Sequence, residues 1–230
     1  IRNNGLGGFN DRREDIFIGH EIADLLAADL DADGDVDIAV ASAEAPVLIL
    51  LFNNGLGTFN ARTTELVAGL PTAIQAANLN SDGRVDLAVT TADRDGVSIL
   101  LGNGQGGFLR RSDFNAGLWP VDVAIVDYDA DGDNDVVTAN RGSLDFSVLT
   151  NDGFGDFPSE PMQISTGMQP DGRLQPLALA LSDLSSDQFS DLVAVGPESP
   201  HIVFLENEAG ATFAPKDLLT STTPARDIEI

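Results

Sequence analysis

Cysteine is absent from the 230 residues, so no disulfide framework braces the chain. Lysine and arginine together number 12 against 37 aspartates and glutamates, a formal charge of −25. That field disfavours nucleic acid and anionic membrane surfaces as partners. No apolar stretch reaches the length of a bilayer span, which excludes membrane insertion by a helix. Histidine occurs only at His20 and His201. There is no nucleophile elbow, no phosphate-cradling glycine loop with its lysine, and no HExxH. The chain therefore reads as a non-enzyme, and His201 after Pro200 as a surface or strand-start residue. No window of eleven or more residues carries a helical stripe.

What the chain has instead is aspartate, and it is not scattered. Four loops share one grammar: Asp29 to Asp37 (DLDADGDVD), Asn78 to Asp86 (NLNSDGRVD), Asp127 to Asp135 (DYDADGDND) and Asp183 to Asp191 (DLSSDQFSD). They hold 15 of the acids. Oxygen side chains stand at positions 1, 3, 5 and 9, with glycine usually at 6. A hard cation needing six to eight oxygen ligands fits that set. The first two intervals are 49 residues each, and the third is 56. An aromatic follows the ninth position by 22 residues every time, at Phe59, Phe108, Phe157 and Phe213. The seven extra residues of the last interval therefore lie between Phe157 and Asp183, around Met168 to Leu174.

A period near 50 marks a repeat architecture. Each unit reads as four strands. The first is Ile22 to Ala28 or Val121 to Val126, and the second is the run after the loop (Ile38 to Ala41, Leu87 to Thr90, Val136 to Thr138, Leu192 to Val195). The third is Val47 to Phe52, Val97 to Leu101, Phe146 to Leu149 or Ile202 to Leu205. A Gly/Asn turn then leads to a fourth strand starting at the aromatic. Four antiparallel strands per repeat make a propeller blade. The expected fold is all-β, a β-propeller of four-stranded antiparallel blades with a period of about 49 residues, forming part of a larger propeller. Residues 1–19 read as a partial blade. Blades at 20–68, 69–117 and 118–166 follow, then one at 167–222 with the insertion, and 223–230 as the first strand of a further blade. Such a piece leaves open edges, which would pair between copies or build a filament if nothing covered them.

The loops together with Gly55-Leu56-Gly57-Thr58-Phe59 and Ala68-Gly69-Leu70-Pro71 resemble the FG-GAP/VCBS repeats of integrin-α-type calcium-binding propellers. The pattern returns as Gly104-Gln105-Gly106-Gly107-Phe108 with Ala116-Gly117-Leu118-Trp119-Pro120. An EF-hand is excluded, because position 12 is Val40, Val89, Thr138 or Ala194, never the required glutamate. A dockerin-type loop fails at the same position. The loop must close on its ninth residue, so Asp37, Asp86, Asp135 and Asp191 are expected as bidentate ligands. The resemblance implies that position 7 (Asp35, Arg84, Asp133, Phe189) lends its backbone carbonyl.

Up to four Ca2+ are expected, and the loops are unequal. The first offers Asp29, Asp31, Asp33 and Asp37, and the third Asp127, Asp129, Asp131 and Asp135, four carboxylates each. The second substitutes Asn78 and Asn80, leaving Asp82 and Asp86, and should bind more weakly. The fourth has Ser185 at position 3 beside Asp183, Asp187 and Asp191, with Gln188 in place of the glycine. A metal-free, hydrogen-bonded turn is its competing reading. Loops of this kind fill where calcium is abundant, which points to a secreted or cell-surface protein. The resemblance further implies ligands on the face opposite the metal loops, where Trp119, Arg94, Arg141 and Arg173 lie. The expected function is an extracellular adhesion or recognition scaffold for protein or glycan partners. The alternatives are a structural subunit of a surface assembly, or a propeller part of a carbohydrate-active enzyme.

Overall fold

A computed structural model describes residues 15–166, 168–169, 172–197, 201–210, 212–220 and 227–228. The chain is all-β and forms four sheets of four antiparallel strands. The first is β1 (Ile22–Ala28), β2 (Asp37–Ser42), β3 (Val47–Phe52) and β4 (Ala61–Leu66). The second is β5 (Pro71–Ala77), β6 (Asp86–Thr91), β7 (Gly96–Gly102) and β8 (Phe108–Asn115). The third comprises β9 (Pro120–Val126), β10 (Asp135–Asn140), β11 (Asp145–Leu149) and β12 (Met162–Ser165). A short hairpin, β13 (Met168–Gln169) with β14 (Gly172–Arg173), occupies the insertion. The fourth sheet is β15 (Ala178–Ser182), β16 (Asp191–Val195), β17 (His201–Asn207) and β18 (Phe213–Thr220). Every sheet is a meander in chain order, and the first strands neighbour one another in succession, β1 by β5, β5 by β9 and β9 by β15. That is the blade arrangement of a β-propeller.

Side-chain alternation explains why the blades stack. The middle strands β6, β7 and β10 are buried at every residue, because both of their faces meet a neighbouring blade. Leu87, Val89 and Leu100, with Ile74 of the same blade, face Leu48 and Leu50 of the first. Ala88, Ile99 and Leu101, one residue out of phase, face Val123, Val136 and Phe157 of the third. Val137, Phe146 and Val148 meet Leu179, Leu192, Leu205 and Phe213 of the fourth. Each such leucine, isoleucine or phenylalanine contributes about 1.5–3 kcal/mol on leaving water. A one-residue slip of any middle strand would exchange its two faces.

Two strand starts differ from the sequence expectation. β8 and β18 begin at the aromatic, but β4 begins at Ala61, after Phe59, and β12 at Met162, well after Phe157. Pro158 and Pro161 flank the second gap and lack the N–H that a ladder needs. Phe157 packs edge-on against Phe114 of the second blade instead, with ring centroids 5.1 Å apart. The expected partial blades at 1–19 and 223–230 fall largely outside the described residues. No helix among the described residues is long and apolar enough to cross a membrane.

Candidate metal centres

The four acidic loops join the first and second strands of each blade, so all lie at one end of the strands. Each loop turns twice through the left-handed region, at position 4 (Ala32, Ser81, Ala130, Ser186) and position 6 (Gly34, Gly83, Gly132, Gln188). Glycine suits the second of these turns, and Gln188 at φ 81° is strained there. Local hydrogen bonds fix the carboxylates. The position 6 N–H donates to position 1, from Gly34 to Asp29 Oδ2 at 3.0 Å and from Gly132 to Asp127 Oδ2 at 3.1 Å. The position 7 N–H donates to position 5 in all four loops, as from Asp35 to Asp33 at 2.9 Å.

The ninth residue locks the loop to the rest of its blade. Asp37, Asp86, Asp135 and Asp191 are essentially buried. Each takes the N–H of position 2 on Oδ2, from Leu30, Leu79, Tyr128 and Leu184 at 2.7–3.0 Å. Each takes the N–H sixteen residues on through Oδ1, from Asn53, Gly102, Asn151 and Asn207 at 2.7–2.9 Å. On Asp37 and Asp135 one lone pair remains on each oxygen for a further partner.

Only two loops bring a set of acids together among the described residues. Oxygens of Asp29, Asp31 and Asp37 lie within 4.8 Å of one another, and so do those of Asp127, Asp129 and Asp135. Asp33 and Asp131, at position 5, fall outside these triads. The second carboxylate oxygen of Asp29 and of Asp127 is buried without a hydrogen-bond partner. A buried, unpartnered anionic oxygen beside two further carboxylates is unfavourable unless a cation neutralises it. The all-oxygen donor set suits a hard divalent cation. Burial pushes Asp135 up to about 6, against hydrogen bonds from Asn151 and Tyr128. Burial also raises Asp31 and Asp129, with neighbouring aspartates adding to it. A cation in either triad would hold these groups ionised.

The other two loops satisfy themselves. In the second, Arg84 at position 7 pairs with Asp82 at 3.3 Å, and Asn80 Nδ2 donates to the same carboxylate. The guanidinium brings to Asp82 the charge that a cation brings elsewhere. Burial raises Asp86, which lies beneath this loop. In the fourth, Asp183 accepts from Ser186 and Asp187 on Oδ1 and from Gln188 on Oδ2, and Ser185 N–H donates to Asp191. Position 7 side chains do not face the triads. Asp35 lies over Gly55, Asp133 over Gly153 and Arg84 over Gly104, each in its own blade's third turn.

The loops are also tied to the next blade, which the sequence reading missed. The carbonyl of position 2 accepts from that blade: Leu30 from Gly106 N–H at 3.3 Å, Leu79 from Asn151 Nδ2 at 2.7 Å, and Tyr128 from Asn207 Nδ2 at 2.9 Å. At Gly106 an added Cβ would stand 2.6 Å from the Phe52 ring, so glycine there permits the close approach. On the first strands, Asp24 Oδ2 accepts from Ile74 N–H at 3.0 Å and Asp122 Oδ2 from Leu179 N–H at 2.8 Å, again across blades. The recurrence of Asn53, Asn151 and Asn207 sixteen residues after the loop was the available signal for the first set.

At the opposite end of the strands lie the connections that carry the expected ligand residues. Trp119 is 56% exposed and sits at φ 51°, a conformation costing a bulky residue about 1–3 kcal/mol. Arg94 belongs to a single 3-10 turn, Ala92–Arg94, and Arg141 follows β10. Arg173 lies in β14, and its side chain is outside the described residues.

Fold and loops together define a propeller with acidic loops on one face. Sequence comparison is more specific: the family model described as FG-GAP-like repeat matches residues 29–89 and again 78–138. The chain carries FG-GAP-like repeats. No curated protein sequence matches it. Among solved structures it is similar to an Agrocybe aegerita lectin that recognises non-reducing terminal N-acetylglucosamine. That match has 22% identity and a TM-score of 0.59, covering 85% of this chain and 51% of the lectin. It is similar also to the BBS1N protein solved in complex with ARL6DN, with 13% identity, a TM-score of 0.61 and coverage of 89% and 59%. A functionally unknown protein from Desulfotomaculum acetoxidans matches at 9% identity and a TM-score of 0.67, covering 91% and 59%. These likenesses establish the fold. The chain spans between about half and three fifths of each of these structures.

Proposed function

We propose that the chain is a calcium-stabilised propeller that works outside the cell or at its surface as a recognition scaffold. One observation carries the calcium half: the buried, unpartnered oxygens of Asp29 and Asp127, each within a three-carboxylate cluster. Calcium at Asp29, Asp31 and Asp37, and at Asp127, Asp129 and Asp135, supplies the counter-charge that the fold lacks. It fastens the tip of the first hairpin to the buried ninth aspartate, and through the position 2 carbonyl to the next blade. The loops at Asn78 and Asp183 complete themselves with Arg84 and with backbone N–H groups, and take calcium weakly or not at all. Loops that depend on calcium in this way suit a calcium-rich milieu, which is the ground for the extracellular placement.

The recognition half is supported by the fold. Similar propellers include a glycan-recognising lectin and a protein-binding partner of ARL6DN, and packed blades hold connecting loops where ligands can reach them. The proposed activity is binding. Calorimetric titration of calcium into chelator-treated protein tests the metal. Two tight sites are expected, with a higher melting midpoint in calcium. Absence of binding heat together with an unchanged midpoint would end the calcium reading.

A further inference from the structure

We infer that calcium in the two triads clasps alternate blade interfaces, first to second and third to fourth, while the second and third blades hold together without it. The inference rests on the calcium reading and names what the ions control. It starts from the three donors that meet the position 2 carbonyls: Gly106 N–H on Leu30 O, Asn151 Nδ2 on Leu79 O and Asn207 Nδ2 on Tyr128 O. Leu30 stands between Asp29 and Asp31, and Tyr128 between Asp127 and Asp129. At both outer interfaces the accepting carbonyl therefore lies between two members of a carboxylate triad. Without a counter-charge those like charges repel at close range, and spreading them displaces the carbonyl they flank. With a cation bound, the carboxylates converge and the carbonyl between them is fixed. Leu79 stands between Asn78 and Asn80, which carry no charge, so its carbonyl keeps its place with or without an ion.

The interface between the second and third blades carries further links that need no metal. Arg110 of the second blade pairs with Asp156 of the third at 3.0 and 3.1 Å and donates to Gly155 O at 2.9 Å. Asn134 Nδ2 donates to Asn78 O at 3.0 Å, and Thr72 Oγ1 to Pro120 O at 2.8 Å. The repeat supplies the comparison. Between the first and second blades, Ala61 and Gly107 stand where Arg110 and Asp156 do, Val85 where Asn134 does, and Ala23 where Thr72 does. Between the third and fourth, Ser159 and Thr212 replace the ion pair, and Val121 the threonine. These links thus gather at the one interface whose position 2 carbonyl belongs to a loop without a triad among the described residues. The outer interfaces keep polar links elsewhere, Asp24 with Ile74 and Arg111 with Leu66 at one and Asp122 with Leu179 at the other, none of which touches a loop carbonyl. Apolar contacts persist at all three, so loss of calcium loosens the two outer clasps locally and leaves the blades folded.

Hydrogen exchange followed by NMR on the full chain, in calcium and in chelator at one pH, reads the three donors themselves. Calorimetric titration of calcium into the same samples accompanies it. In chelator, Gly106 N–H and Asn207 Nδ2 should exchange faster, by up to about a hundredfold compared with calcium at about a hundred times Kd, whereas Asn151 Nδ2 should change little. Asp31→Asn makes the first loop resemble the second, so Gly106 should become insensitive to calcium while Asn207 stays sensitive. Asp129→Asn should do the reverse. In each variant the untouched donor shows that the fold persists. Calcium binding accompanied by equal loss of protection at all three donors, or by none at Gly106 and Asn207, overturns the inference and leaves the calcium reading standing. Absence of binding heat together with unchanged exchange overturns both.

Discussion

Asp29→Asn should change the sign of its effect when calcium is removed. In the parent, Asp29 Oδ2 accepts from Gly34 N–H, and the buried Oδ1 has no partner beside Asp31 and Asp37. Asparagine keeps the bond to Gly34 through its oxygen and places an amide donor where the unpartnered oxygen stood. In chelator the variant therefore loses one of three crowded charges and gains hydrogen bonds to its neighbours. Relief of one unsatisfied buried acceptor is worth about 1–3 kcal/mol, so the midpoint should rise by a few degrees. In saturating calcium the variant instead loses a charged ligand. At a thousandfold excess over Kd one site stabilises the parent by about 4.1 kcal/mol; set against the variant's gain in chelator, this leaves a net loss of about 1–3 kcal/mol, so the midpoint should fall by a few degrees. The control is Asp183→Asn, whose carboxylate accepts three backbone N–H groups. It should destabilise equally in both conditions. Calorimetric melts of parent and both variants, with calcium and with chelator, provide the comparison. Equal destabilisation of Asp29→Asn in both conditions would refute the reasoning.

Three further outcomes follow from the same geometry. In chelator, stability should rise as pH falls from 7.5 to 5. Burial holds Asp122 and Asp135 at about 6 in the folded state, above the unfolded value of 3.8, so folding binds protons across that window and the ionisation penalty is fully present above it. Saturating calcium should flatten the slope, since Asp135 is then held ionised while Asp122 and Asp86 keep their penalties; pH-dependent melts with and without calcium decide this. Asn207→Ala should cost about 2–4 kcal/mol by chemical denaturation, because the fully buried amide serves Tyr128 O, Ser190 O and Gly210 N–H. Asn53→Ala, whose part-exposed side chain donates to Val36 O and accepts from Gly55 and Gly57 N–H within its own blade, should cost distinctly less in the same assay.

The repeat, the four loops and the strand order were legible because they depend on spacing and alternation along the chain. A 49-residue period and a fixed 22-residue step to the aromatic leave little freedom in the blade. The inequality of the loops was legible too, since Asn78, Asn80 and Ser185 visibly replace carboxylates. Its physical form was not, because the pairing of Arg84 with Asp82 depends on which way a position 7 side chain turns. Contacts between blades escaped the sequence for a related reason. Asn151 meets Leu79 O across 72 residues and Asp122 meets Leu179 across 57, and no local pattern encodes such pairings. The late start of β12 was hidden by a recurring aromatic that here buries against Phe114 while prolines interrupt the ladder. Trp119 was conspicuous as the single tryptophan, yet its backbone strain emerges only once the connections on both sides fix the chain around it.

The most direct test of the account is an anomalous-difference map from crystals of the protein grown in calcium. It should show strong peaks at Asp29, Asp31 and Asp37 and at Asp127, Asp129 and Asp135, with weaker peaks or none at Asn78 and Asp183. A map with no peak at either aspartate triad, or with peaks confined to the second and fourth loops, would contradict it.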